Sequence, residues 1–287
     1  MAISKRAVWL AVAVLVAVGT AFSAMMVFGW MIDETHFDRP DEGFDRLTSQ
    51  LDSMPGVRVE EKERWVEAPT FSKPNSWVVL AVDGQRLDGV LSAACSTGYP
   101  DPVMWSFRVS TDGGSVVTLL SGTPGQPVGG ASCLDFGFDA VGLVDEVGGY
   151  GLGVNLQASV WDNGRFALVA LDDSPETLSA LLPLVEHTDD LRAAAGLDPS
   201  RPVEISGSAL GLIVAPGEHD RYLDLLAGLV DEHDVTGFWA DGGGGTPVDG
   251  VEKVQIAAPE SEHDAVADAI RTSGLHIAGF PVRFLPR

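Results

Sequence analysis

The sequence contains few cysteines, and this scarcity limits the chemistry open to the protein. Its 287 residues include only Cys95 and Cys133. Neither has a histidine in its flanking sequence to act as the base that a catalytic thiol requires. An isolated pair of cysteines instead predicts a disulfide bond, which would close a loop of about 38 residues.

Recognisable catalytic motifs are also missing from the sequence. There is no Gly-x-Ser-x-Gly elbow, no Ser-x-x-Lys pair and no His-Glu-x-x-His zinc motif. The glycine-rich stretch 241–250 lacks the Gly-Lys-Ser/Thr ending of a phosphate-binding loop, and it precedes a predicted strand rather than a helix. The sequence therefore predicts no cofactor and favours a protein that is not an enzyme.

Basic residues are scarce in most of the chain, and this makes nucleic acid an improbable partner. All 41 acidic residues and 16 of the 18 basic ones follow Ile32, an excess of 25 negative charges. Phosphate binding requires the opposite sign. The charge favours solubility and an attraction for cations or basic partners.

Charge is wholly absent from residues 7–32, a run of 26 uncharged residues. About 20 apolar residues are enough to cross a bilayer, so this run predicts a transmembrane signal anchor. Trp9 and Trp30 lie near its ends, where tryptophan is typical of the membrane interface. Lys5 and Arg6 precede the run, which predicts a cytoplasmic tail of residues 1–6 and an extracytoplasmic chain.

The alternative interpretation of residues 7–32 is a signal peptide cleaved after Ser23. Small residues from Ala21 to Ala24 would suit that cleavage. The remaining chain would then still begin with a strongly apolar stretch, which favours the uncleaved anchor. The sequence thus predicts a single-pass protein of the cell membrane.

The remainder of the chain has the pattern of an α+β protein. After an acidic linker, residues 33–42, strand-like and helix-like segments alternate through an N-terminal part, 43–207, and a C-terminal part, 208–287. The last 80 residues follow the order βαββαβ, which is typical of a ferredoxin-like module. The predicted fold is therefore a transmembrane helix followed by tandem ferredoxin-like modules with mostly antiparallel sheets.

Glu-His-Asp recurs at two predicted helix starts and supplies the candidate metal ligands. His219 and Asp220 belong to one copy, and His263 and Asp264 to the other. Histidine and carboxylate suit zinc and other transition metals. Acidic residues also favour helix starts without any metal, because they complement the helix dipole, and this second interpretation is the preferred one.

The expected function is a membrane-anchored, non-enzymatic interaction module that contacts an envelope protein or the cell wall. The hypothesis depends on the apolar anchor, the absence of catalytic motifs and the sheets that such folds offer to partners. One alternative is a sensor that binds a small ligand or a divalent cation. A second alternative is a hydrolase of envelope polymers, which would require a cleft with carboxylates of raised pKa.

Overall fold

A computed structural model describes residues 36–67, 73–96, 98–121, 134–161, 164–171, 177–240 and 252–286. In these residues the chain forms one continuous mixed sheet of twelve strands, together with seven α-helices. The strands lie in the sheet in the same order as in the sequence.

The strands are short, except for two long ones near the N-terminal edge. They are β1 (His36–Asp38), β2 (Val57–Glu67), β3 (Asn75–Asp83), β4 (Met104–Ser110), β5 (Val116–Ser121), β6 (Asn155–Val160), β7 (Phe166–Ala170), β8 (Val203–Ser206), β9 (Leu210–Val214), β10 (Gly237–Ala240), β11 (Val254–Ala257) and β12 (Val282–Phe284).

The helices fall between hairpins of strands. They are α1 (Glu42–Asp52), α2 (Leu87–Ser96), α3 (Ala140–Tyr150), α4 (Leu178–Glu186), α5 (Thr188–Ala194), α6 (His219–His233) and α7 (His263–Thr272). Three short 3₁₀ turns, Gly84–Arg86, Glu260–Glu262 and His276–Gly279, complete the regular structure of the described residues.

The sheet is built by repeating one unit, an antiparallel hairpin followed by a helix. The strands of the hairpins β2–β3, β4–β5, β6–β7, β8–β9 and β10–β11 pair antiparallel. Each hairpin then joins the next through a parallel pair, as β3 does with β4 and β5 with β6. A helix crosses over within each parallel connection, because parallel neighbours need a long link.

The prediction of tandem ferredoxin-like modules is wrong. The element order βαββαβ does occur in the last 80 residues, as β9, α6, β10, β11, α7 and β12. In a split βαβ unit, however, another strand lies between the two strands that a helix joins. Here β9 pairs directly with β10, and β11 with β12, in parallel. The result is one extended sheet with parallel and antiparallel pairs.

The sheet continues across the predicted division between residues 207 and 208. This division falls in the turn of the β8–β9 hairpin, where Val203 pairs with Val214 and Ser206 with Gly211. The two predicted parts therefore share one sheet, and their independence as folding units stays a prediction.

One face of the sheet carries the hydrophobic core. The register aligns Leu80, Phe107, Leu119, Ala158 and Leu168 across five strands, and all are essentially inaccessible to water. The buried residues of the seven helices belong to the same continuous cluster. This face is therefore the one that the helices cover.

The helices form a connected layer over that face, and their starts follow local capping rules. Asp41, Asp139 and Thr177 each accept a hydrogen bond from a backbone N–H in the first turn of α1, α3 and α4, respectively. The predicted cap of α4, Ser174, lies outside the described residues. Between α3 and α5 the approach is close, because a Cβ on Gly142 would meet the carbonyl oxygen of Ala194.

A half-buried arginine ties the N-terminal edge together. Arg64 of β2 donates to Asp101 Oδ2 at 2.7 Å, to the Tyr99 hydroxyl at 3.1 Å and to the carbonyl of Arg39 at 2.8 Å. Burial opposes the charged form of Arg64, but the hydrogen bonds to Asp101 and Tyr99 outweigh it and raise the pKa of the guanidinium. This network holds the loop before β4 against the first two strands.

The membrane assignment is corrected. No helix in the part of the chain that the structure describes is long and apolar enough to span a bilayer. The predicted anchor, residues 7–32, lies outside the described residues, as do Lys5, Arg6, Trp9 and Trp30. Single-pass membrane localisation, an extracytoplasmic chain and a membrane partner therefore have no support in the structure, and no membrane location is assigned to the protein.

The predicted Cys95–Cys133 bridge is not confirmed. Cys133 lies outside the described residues, and no disulfide joins two residues that are described. Cys95 lies on the exposed side of α2 near its end, and it is not a free cysteine.

Candidate functional site

The first candidate histidine joins two helices. His219 opens α6, and its Nδ1 lies 3.4 Å from Asp189 Oδ2 in α5. Its Nε2 lies 3.3 Å from Asp220 Oδ1, and the Asp220 side chain is largely exposed. The preceding Glu218 does not cap the helix and instead faces His276 Nδ1 at 3.5 Å. The sequence gives no signal for His276, and the proximity of Asp189, Glu218 and His276 to His219 depends on tertiary packing.

The second candidate histidine has an aromatic neighbour. His263 opens α7 and stacks on Phe284 of β12, with ring centroids 3.7 Å apart and planes 8° from parallel. Asp264 is exposed on the next position. The stacking fixes the orientation of the His263 ring against the last strand, so this histidine has a structural contact of its own.

The two ends of the C-terminal helices meet through another histidine. His233, the last residue of α6, places Nδ1 2.8 Å from Glu262 Oε2, immediately before α7. The hydrogen bond from His233 lowers the pKa of the Glu262 carboxyl from its ordinary value. A third Glu-His-Asp sequence, Glu232-His233-Asp234 at the end of α6, thus contacts the triplet that opens α7.

These contacts place each histidine beside one or two carboxylates or beside an aromatic ring. No group of three or more His, Cys, Asp or Glu side chains within the described ranges is arranged to hold a metal ion. His219 and His263 have different partners, Asp189 and Phe284, respectively. The metal-ligand role of His219, His263, Asp220 and Asp264 stays a prediction.

The second face of the sheet has a different character, and we call it the open face. Its residues alternate with the core residues along every strand and do not belong to the hydrophobic cluster that includes the helices. From β4 to β12 the open face consists of Met104, Ser106, Arg108, Ser110, Val116, Thr118, Leu120, Asn155, Gln157, Ser159, Ala167, Val169, Glu204, Ser206, Gly211, Ile213, Gly237, Trp239, Gln255, Ala257 and Arg283.

Large apolar side chains are exposed at the centre of this face. Leu120 at 36%, Trp161 at 43% and Leu171 at 37% are three of the four exposed large hydrophobics among the described residues. Trp161 pairs with Arg165 at the end of the β6–β7 hairpin, and Leu171 lies opposite Asn155, so both side chains are on the open face. With Val116 and Val169 they make up what we call the apolar patch, on the middle strands β5, β6 and β7. Leu120 and Trp161 lie toward one end of these strands and Leu171 toward the other, with Thr118 and Gln157 between them.

From β4 to β12 the open face carries little net charge, whereas its positions on β2 and β3 include Glu61, Glu63 and Asp83. Glu204 is the one acidic residue among its described positions from β4 to β12, and Arg165 Nε lies 2.7 Å from Glu204 Oε2. Arg108 pairs with Glu60 at 2.9 Å on the neighbouring β2. The seven helices, in contrast, contain 15 acidic and four basic residues. The helices therefore carry a net charge of −11, out of −23 for the whole chain.

The edge strands of the sheet are less suited to binding a partner than its open face. The edge strands β1 and β12 contain three residues each and carry Asp38 and Arg283. Short edge strands with charged residues discourage the addition of a further strand. The open face is thus the better candidate for an interaction surface.

The fold and the face define a class of protein: a large mixed sheet with acidic helices on one side and an open face, nearly neutral from β4 to β12, on the other. Comparisons of the chain with protein-family models, with curated proteins and with solved structures found no match. A function for the protein is therefore inferred from its geometry alone.

Proposed function

We propose that this protein is a non-enzymatic interaction module that binds a partner protein through the open face of its sheet. The observation that carries the proposal is the apolar patch formed by Leu120, Trp161, Leu171 and their neighbours. Exposed apolar side chains that lie together on one surface are typical of sites for protein interaction. Isolated exposed hydrophobics are common, so the proposal depends on these residues sharing one face of three adjacent strands, with Leu120 and Trp161 toward one end of the strands and Leu171 toward the other.

The composition of the patch supports the same proposal. Interface cores are depleted in charge and enriched in aromatic residues, and tryptophan is frequent among the residues that dominate binding energy. Trp161 is exposed at the end of a hairpin, and Trp239 lies partly exposed on β10. Glu204, the buried acidic residue among the described positions of this face from β4 to β12, pairs with the partly exposed Arg165.

Site-specific cross-linking in cells that produce the full chain tests the proposal. A photoreactive amino acid at position 120 is expected to capture a defined protein, because the patch would be buried in the complex. The matched control replaces Asp224, an exposed residue on the helical side. Equal or absent capture from the two positions would contradict the proposal.

A further inference from the structure

We draw no further inference here: the strongest candidate, the surface patch of Trp77, Met104, Leu120 and Trp161 at one end of strands β3 to β6 on the open face, carries none because nothing in the structure shows what covers it.

Discussion

The two faces of the sheet come from the same strands but have opposite surroundings. Leu119 lies on the covered face and is completely buried, whereas its neighbour Leu120 lies on the open face and is 36% exposed. The covered face is apolar across all its central strands and packs against helices whose outer surface is acidic. The fold therefore needs only the covered face of the sheet for its core, and the open face is left available for recognition.

The largest effect is expected from the same substitution made on the two faces. Leu119→Ala should lower the free energy of unfolding by about 2–5 kcal/mol, because it removes packing and leaves a cavity in the core. Leu120→Ala should lower it by less than about 1 kcal/mol, since part of that side chain already contacts water. Urea denaturation of the two variants measures the difference. Equal losses would mean that the open face is packed as tightly as the covered one.

A second pair of variants tests how tightly the helical layer is packed. Gly142→Ala in α3 should destabilise by about 1–3 kcal/mol, because the new Cβ would meet the Ala194 carbonyl oxygen of α5. Gly149→Ala in the same helix has open space around it and should stabilise by up to about 1 kcal/mol. Thermal melts of both variants measure the signs of the two changes. A stabilising Gly142→Ala would show that α3 and α5 are further apart than described.

The smallest effect concerns the contact between α6 and α7, and it depends on pH. The hydrogen bond from His233 lowers the pKa of Glu262 below its ordinary value of 4.5. The ionised carboxyl therefore contributes stability that is present above about pH 4.5 and is lost as the pH falls through the folded-state pKa. Glu262→Gln should lower the urea midpoint at pH 7, and its difference from the wild type should shrink on acidification.

The control for this prediction lies on the same helix end. Glu232→Gln removes the same charge as Glu262→Gln, but at an exposed position directly before His233 in the sequence. Its effect should be smaller than that of Glu262→Gln at pH 7. If the difference in urea midpoint between Glu262→Gln and the wild type stayed constant from pH 7 to pH 3, the His233 contact would not be its cause.

Much of the local structure could be predicted from short patterns. The Asn163-Gly164 pair predicts the β6–β7 hairpin, and β6 does pair antiparallel with β7, with Gly164 at φ 79° in the turn. Because Trp161 still pairs with Arg165, the turn is longer than the two residues that the pair predicts. The periodicity of residues 217–233 predicts a helix, and α6 covers His219–His233. These elements depend on neighbours within a few residues, so the sequence pattern contains the relevant interactions.

Strand pairing could not be predicted in the same way. The order βαββαβ is compatible both with a split arrangement and with sequential pairing, and only the contacts among β9, β10, β11 and β12 distinguish them. The recurring Glu-His-Asp triplets show the same limitation. Their helical location was predictable, but the contacts of His233 with Glu262 and of His219 with Asp189 arise from packing between helices.

The sequence by itself determined the alternation of hairpins and helices and the strong negative charge, because propensity, turn chemistry and composition are local properties. Only the tertiary structure decided that the strands join into one sheet and that the acidic residues of the helices collect on one side. It also placed Leu120, Trp161 and Leu171 on one face, because register across neighbouring strands determines which side chains share a face. The candidate interaction surface is thus a consequence of strand order, which no short segment of the chain specifies.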